Sequence, residues 1–208
     1  MMRTLVRGAL AGAVPALPVL VGAALVGAAS GLRSQTGLAA VALTTPAVHV
    51  SRPVALLSGH RGSVGAATAA VGEIVADKFP GIPSRLSPAG VTSRVLLGAL
   101  AAAALAAAAA RDPEPLDAVP APVPVPAPVA GGPRDAWFSE DAYPAPAGQD
   151  PAVVAVAATL GAVASVATTF AGAWWRRAQS RHRPDWPGAV LEDSVAVGLA
   201  WAGCAVAT

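Results

Sequence analysis

Three short stretches of this sequence put charge where an apolar chain would avoid it. The first is Gly31-Leu32-Arg33-Ser34-Gln35-Thr36-Gly37, and Arg33 is the only Asp, Glu, Lys or Arg between Gly8 and Val50. A guanidinium there can hold an anionic group, and Ser34, Gln35 and Thr36 can supply hydrogen bonds. A plain loop between two crossings gives the same pattern. On either reading the glycine-bounded polar run breaks a helix, and such a break is tolerated at membrane depth only where protein or water surrounds it.

The second stretch is Gly72-Glu73-Ile74-Val75-Ala76-Asp77-Lys78. Glu73 and Asp77 stand four residues apart, on one helix face. Like charges at that spacing repel unless one is protonated or a cation sits between them. Gly65, Thr68, Ala69 and Gly72 lie on or beside the same face, a small-residue surface suited to close helix packing. In the plainer reading Asp77 and Lys78 mark an interfacial helix end and Glu73 pairs with an arginine. Glu73 lies a turn deeper and is the stronger functional candidate.

The third stretch is Glu192-Asp193, five residues inside the last apolar segment. Neighbouring helix residues point about 100° apart, so the two acids meet different partners. Either can pair with Arg33, Arg85 or Arg94. Alternatively both belong to a helix's first turn, where acids suit the dipole. The candidate binding set is therefore Arg33, Ser34, Gln35, Thr36, Glu73, Asp77, Glu192 and Asp193.

Other chemistry is thinner. His49, His60 and His182 are scattered without metal-ligand spacing. Cys204 is the single cysteine, so no intrachain disulfide can form. Ser58-Gly59-His60-Arg61 sets a nucleophile or base beside a cation, as a lipid-headgroup enzyme would need, but no second acid–base motif accompanies it. The sequence calls for no catalytic residue, metal or cofactor, and an enzyme is the less favoured class.

The elements that must hold these residues follow from composition. Apolar residues make up 54% of the 208, and charged residues only 12%. A soluble domain carries about 25% charge, so an ordinary soluble enzyme and a disordered regulator are excluded. Arg176, Arg177, Arg181 and Arg183 form the one tight basic cluster, beside Trp174 and Trp175. Next to an apolar segment that is a membrane-edge anchor rather than a nucleic-acid site.

Arg3 and Arg7 precede an uncharged run from Gly8 to Ser30, 23 residues long. A signal peptide's apolar core is about 7–15 residues, so this run reads as a retained membrane segment. Gly8–Val50 is long enough for two crossings, or for one crossing plus a re-entrant piece. Ser51–Gly62 is a polar break, and Ser63–Ala76 is short for a span. Phe79–Pro88 is a loop. Ala89–Ala110, Ala152–Trp175 and Gly188–Val206 are further apolar helices, with Ser180–Pro187 a basic turn.

Residues 111–151 hold 11 of the 20 prolines and seven of the 12 acids. Pro120–Pro128 alternates proline with Ala or Val, which favours extended polyproline II. Three parts result: an N-terminal membrane half over 1–110, a Pro-rich acidic linker over 111–151, and a C-terminal membrane half over 152–208. The fold class is all-α, a polytopic helical membrane protein of about five or six membrane segments, one of them re-entrant or broken. If Gly8–Val50 crosses once net, nine of the 14 basic residues fall inside and the linker outside; if it crosses twice, the best tally is eight to six, so the single net crossing is the preferred arrangement.

The run from Gly27 to Ala40, Gly72-Glu-Ile-Val-Ala-Asp-Lys-Phe-Pro80, Pro83-Ser-Arg85 and Asp185-Trp-Pro-Gly-Ala-Val-Leu-Glu-Asp193 together resemble a bacterial family of small integral membrane proteins defined only as a domain of unknown function. The resemblance covers both membrane halves and leaves out the linker. It implies a multi-pass helical protein of the inner (cytoplasmic) membrane with no established activity, and adds weight to Arg33, Glu73, Asp77, Lys78, Arg85, Glu192 and Asp193.

Two functions remain. The lead is transport or permeation of a small or anionic solute. The alternative is a structural or assembly protein acting through helix packing, with Gly8/Gly12 and Gly27/Gly31 at GxxxG spacing and a linker able to present a Pro-rich ligand. The expected partners are the lipid bilayer, a second copy of the chain and a protein bound to the linker, with no nucleic acid.

Overall fold

A computed structural model describes residues 16–46, 51–76, 86–109, 150–179 and 185–207. Asp77, Lys78, Arg85, residues 111–149 of the Pro-rich linker and the first 15 residues lie outside that set. The described residues form seven helices and no strand. They are α1 (Ala16–Leu32), α2 (Thr36–Thr44), α3 (Arg52–Ser58), α4 (His60–Ala76), α5 (Pro88–Ala108), α6 (Pro151–Gln179) and α7 (Asp185–Ala207).

Proline sets several helix starts. Its missing N–H and fixed φ suit the first helical turn. Ser87 precedes Pro88, and its hydroxyl accepts from Gly90 N at 3.1 Å. Asp150 precedes Pro151, and its carboxylate accepts from Ala152 N at 2.8 Å. Pro53 in α3 and Pro187 in α7 also stand in first turns. Two expectations change for this reason. The polar break Ser51–Gly62 contains α3 and the start of α4, and α7 begins at Asp185 inside the expected basic turn.

Three helices are long and apolar enough to cross a membrane: Pro88–Ala108, Pro151–Gln179 and Trp186–Ala207. α1 is shorter but equally apolar, and it is the centre of the bundle. It packs against α2, α5, α6 and α7, which explains why it is apolar all round. The helices before and after the linker therefore share one core.

That core is made of small side chains. In α6 the buried residues are Ala157, Gly161, Ser165, Thr169 and Gly172, while Val156, Leu160, Val163, Phe170 and Trp174 are exposed. Small residues inward and large ones outward is the pattern expected where lipid rather than water surrounds the bundle, because close backbone approach drives the packing. A Cβ on Gly161 would collide with Ala102 and Gly98, and one on Gly27 with the Gly161 backbone. Gly22 and Gly203 bring α1 against α7 in the same way. The alanine run of α5 has the same use: Ala101, Ala102, Ala104 and Leu105 are all in the core.

The expected break is present but narrower than its glycines suggested. Only Arg33, Ser34 and Gln35 leave the helix. Gly31 lies within α1 and Gly37 within α2. Both serve close packing: a Cβ on Gly31 would meet Thr168 and Ser165, and one on Gly37 would meet Ser30 and Val26. The contact of Gly37 with Val26 shows that α2 turns back alongside α1 as a helical hairpin.

Candidate functional site

The last turn of α1, the first turn of α2, the C-terminal part of α4, the start of α5, the end of α6 and the start of α7 meet at one end of the bundle. The charged residues of the core are gathered there. Their burial decides their importance: Arg33 is 1% exposed, Arg94 7% and Glu192 4%. Charges so deep persist only when paired.

Arg33 points from the α1–α2 break to α7. Its Nε donates to Asp193 Oδ1 at 2.5 Å, and Nη2 approaches the same oxygen at 2.5 Å. Asp193 was one of two acids expected to be able to reach Arg33, and the structure selects it. Glu192, one position away and rotated about 100°, meets Arg176 of α6 instead, with Nη1 to Oε2 at 3.5 Å. It also abuts Gly172, where a Cβ would stand 3.4 Å from Oε1. The two acids are in the third turn of α7, so they do not serve its dipole; the earlier start at Asp185 removes that alternative.

Glu73 has the most informative surroundings. Its Oε1 accepts from Ser34 N and its Oε2 from Gln35 N, each at 2.9 Å. In an unbroken helix those two N–H groups would donate to the carbonyls of Ser30 and Gly31. The break diverts both donors to a carboxylate supplied by α4. The Gly31 carbonyl receives the Thr169 hydroxyl of α6 at 3.0 Å instead. Arg94 Nη2 completes the arrangement, reaching Glu73 Oε1 at 3.2 Å, while its Nη1 donates to Gly90 O at 3.3 Å. A helix N-terminus with free N–H groups and an adjacent guanidinium is an anion site, and here a carboxylate of the same chain fills it.

α6 ties this end together through hydroxyls. Ser165 Oγ donates to Arg94 O at 2.8 Å, and Thr168 Oγ1 to Ala28 O at 2.8 Å. Ser30 Oγ is fully buried, has no hydrogen-bond partner among the described residues, and lies against Gly37 in the first turn of α2.

The structure thus brings Arg33, Ser34, Gln35, Glu73 and Asp193 to one place, with Thr36 buried at the start of α2 and Glu192 alongside on α7. Asp77 lies outside the described residues, so its relation to Glu73 is not part of the site as described. Two partners were left out of the sequence-derived set. Arg94 is the only charge in an otherwise apolar helix, a signal that marks a functional or paired residue at membrane depth. Arg176 sits in the basic cluster and reads as an interfacial anchor until its pairing with Glu192 is seen. Trp174 and Trp186 are exposed at this same end, as an interfacial belt would be. His60 is exposed and Ser58 half-buried at the α3–α4 junction, where the Ser63 hydroxyl donates to His60 O. Among the described residues no group of His, Cys, Asp and Glu is placed to hold a metal ion. No family model, curated protein or solved structure matches this chain.

Proposed function

We propose that this chain is a multi-pass protein of the inner membrane that takes a small anionic solute at the α1–α2 break. The observation carrying the reading is the carboxylate held by Ser34 N, Gln35 N and Arg94. It supports the reading with a carboxylate that the chain itself supplies. Broken helices whose N-termini face anionic groups are the form such sites take in transporters.

In this reading there are six membrane segments. α1, α4 and α6 run toward the charged end, and α5 and α7 run away from it. α2 and α3 together form one broken return. Arg33, Arg94, Arg176 and Arg177 stand at the charged end, which supports a cytoplasmic side for it and an outside position for the linker. A reporter fused within the linker would show it exposed outside; a cytoplasmic reporter would overturn the orientation. The resemblance to the uncharacterised bacterial membrane family belongs to the same proposal.

The test is flux. Full-length protein in proteoliposomes should pass formate, acetate or phosphate faster than empty vesicles, and Arg94→Ala should abolish the difference. Flux equal to that of empty vesicles for all three probes, or unchanged in Glu73→Gln, would sink the reading.

One observation favours a second reading, that of a structural or assembly protein. Gly65 and Gly72 of α4 have open space where a Cβ would stand, and Thr68 and Ala69 beside them are exposed. A second copy packed on that face would explain the small residues. Cysteine cross-linking through Gly65→Cys in native membranes would give a covalent dimer on this reading and only monomer otherwise.

A further inference from the structure

α4 is attached to the bundle unlike any other long helix. None of its 17 residues is buried. It leans on α2 and α3 only at its inner side, while Val64, Val71 and Val75 are exposed. Its firm connection to the core is the Glu73 carboxylate on Ser34 N, Gln35 N and Arg94 Nη2. The receiving side is packed into the core by contrast: Arg94 is buried, Ser165 donates to its carbonyl, and Gly31 and Gly37 are wedged against neighbours. The buried and unpartnered hydroxyl of Ser30 beside the first turn of α2 adds an unused polar group next to this site.

We propose that Glu73 is a latch: it occupies the carboxylate site at the N-terminus of α2 and holds α4 closed over it, and a small external carboxylate opens α4 by taking its place. The inference rests on the anion reading of the break and adds its regulation. An incoming carboxylate takes over the two N–H donors and the Arg94 guanidinium as Glu73 releases them, so exchange replaces one set of charge-assisted hydrogen bonds with an equivalent set. Little apolar burial opposes the movement, since α4 contributes none of its residues to the core. The position of α4 is then set by the ratio of external carboxylate to the tethered one, as mass action requires.

The experiment measures the α4–α5 distance in the full chain in lipid nanodiscs. Spin labels go on Val71→Cys and Leu96→Cys, both at exposed positions, with Cys204→Ser removing the native thiol. Without added anion the distance distribution should have one short population. Acetate should build a longer population that saturates, while chloride at equal ionic strength should not. Glu73→Gln should shift the open-to-closed ratio by about tenfold or more without any acetate, the effect of losing one hydrogen bond to a charged group. Glu73→Asp, which keeps the charge, should shift it less. If Glu73→Gln does not fold, the acetate titration of the unsubstituted latch decides alone. Identical distributions with acetate and with chloride overturn the proposal, as does a Glu73→Gln distribution that matches the parent. Acetate uptake measured in parallel separates the two ideas. Opening without uptake removes the transport reading and leaves the latch, and uptake without opening removes the latch and leaves transport.

Discussion

α4 and α6 carry the same kind of sequence and use it in opposite ways. Each has a face of glycine, alanine, serine and threonine at helical spacing. In α6 that face is Gly161, Ser165, Thr169 and Gly172, and it is buried against α1, α5 and α7. In α4 it is Gly65, Thr68, Ala69 and Gly72, and it is open. Small residues therefore permit close approach without ensuring it; what decides is whether a partner backbone is present. α6 is held along its length by packing and by hydroxyl-to-carbonyl bonds, whereas α4 leans on α2 and α3 and is bonded to the core through the Glu73 carboxylate. Helix ends packed into the core face a helix outside it across the same charged site.

The comparison can be broken first at the ion pairs. Asp193→Ala would remove the carboxylate that meets Nε and Nη2 of Arg33, which is 1% exposed. Removing one partner of a buried pair costs about 3–5 kcal/mol. Most of the folded population should be lost in detergent, scored by the monodisperse fraction after heating. Because α1, α2 and α7 meet at this pair, the loss should be global. Survival at the parental temperature would mean that Arg33 reaches water or another acid once Asp193 is gone.

Next in size is overpacking. Gly161→Leu puts a side chain into backbone and Ala102 at a three-helix junction. It should cost at least the about 1–3 kcal/mol typical of forced core insertions. Gly65→Leu, on the open face of α4, should stay within about 0.5 kcal/mol of the parent. Parallel thermal denaturation of the two variants gives the contrast directly. A Gly65→Leu variant as damaged as Gly161→Leu would show that the α4 face is covered in the membrane, and would favour the assembly reading.

How far the sequence foretells this arrangement depends on which interaction is asked for. The break at Arg33–Gln35 is legible, since an isolated charge with polar neighbours cannot continue an apolar helix buried in lipid. That Glu73 meets a polar partner, and that Asp193 can reach Arg33, are legible from the same scarcity of charge. The pairing of Glu73 with Arg94, and of Glu192 with Arg176, is not, because which of several arginines faces an acid depends on helix rotation. One residue of register moves a side chain about 100°, and helix starts set by Pro88 and Pro187 fall earlier than the apolar pattern shows. The glycines around the break mislead for a related reason. Gly31 and Gly37 suggest a flexible loop, yet both are helical and face neighbours a hundred or more residues away, or the preceding helix, which no local pattern encodes.

The smallest effect tests how α6 is fastened. Ser165→Ala removes the bond to the Arg94 carbonyl, and Thr169→Val that to the Gly31 carbonyl. Side-chain hydrogen bonds between membrane helices average about 0.6 kcal/mol, with a ceiling near 1.7. Each single change should therefore lower stability by about 1 kcal/mol or less. Thr169 has an additional role, because Gly31 O has lost its helical donor to Glu73. With Glu73 in place, Thr169→Val leaves that carbonyl without its side-chain partner. With Glu73→Gln, Gln35 N is freed to return to Gly31 O and rebuild the helical rung. The two substitutions should then be less than additive, while Ser165→Ala and Glu73→Gln should add, measured as a double-mutant cycle in the same detergent. Strict additivity in both cycles would show that the α1–α2 break is fixed by Arg33 and Asp193 alone, and that the carboxylate of α4 merely fills a site that is already formed.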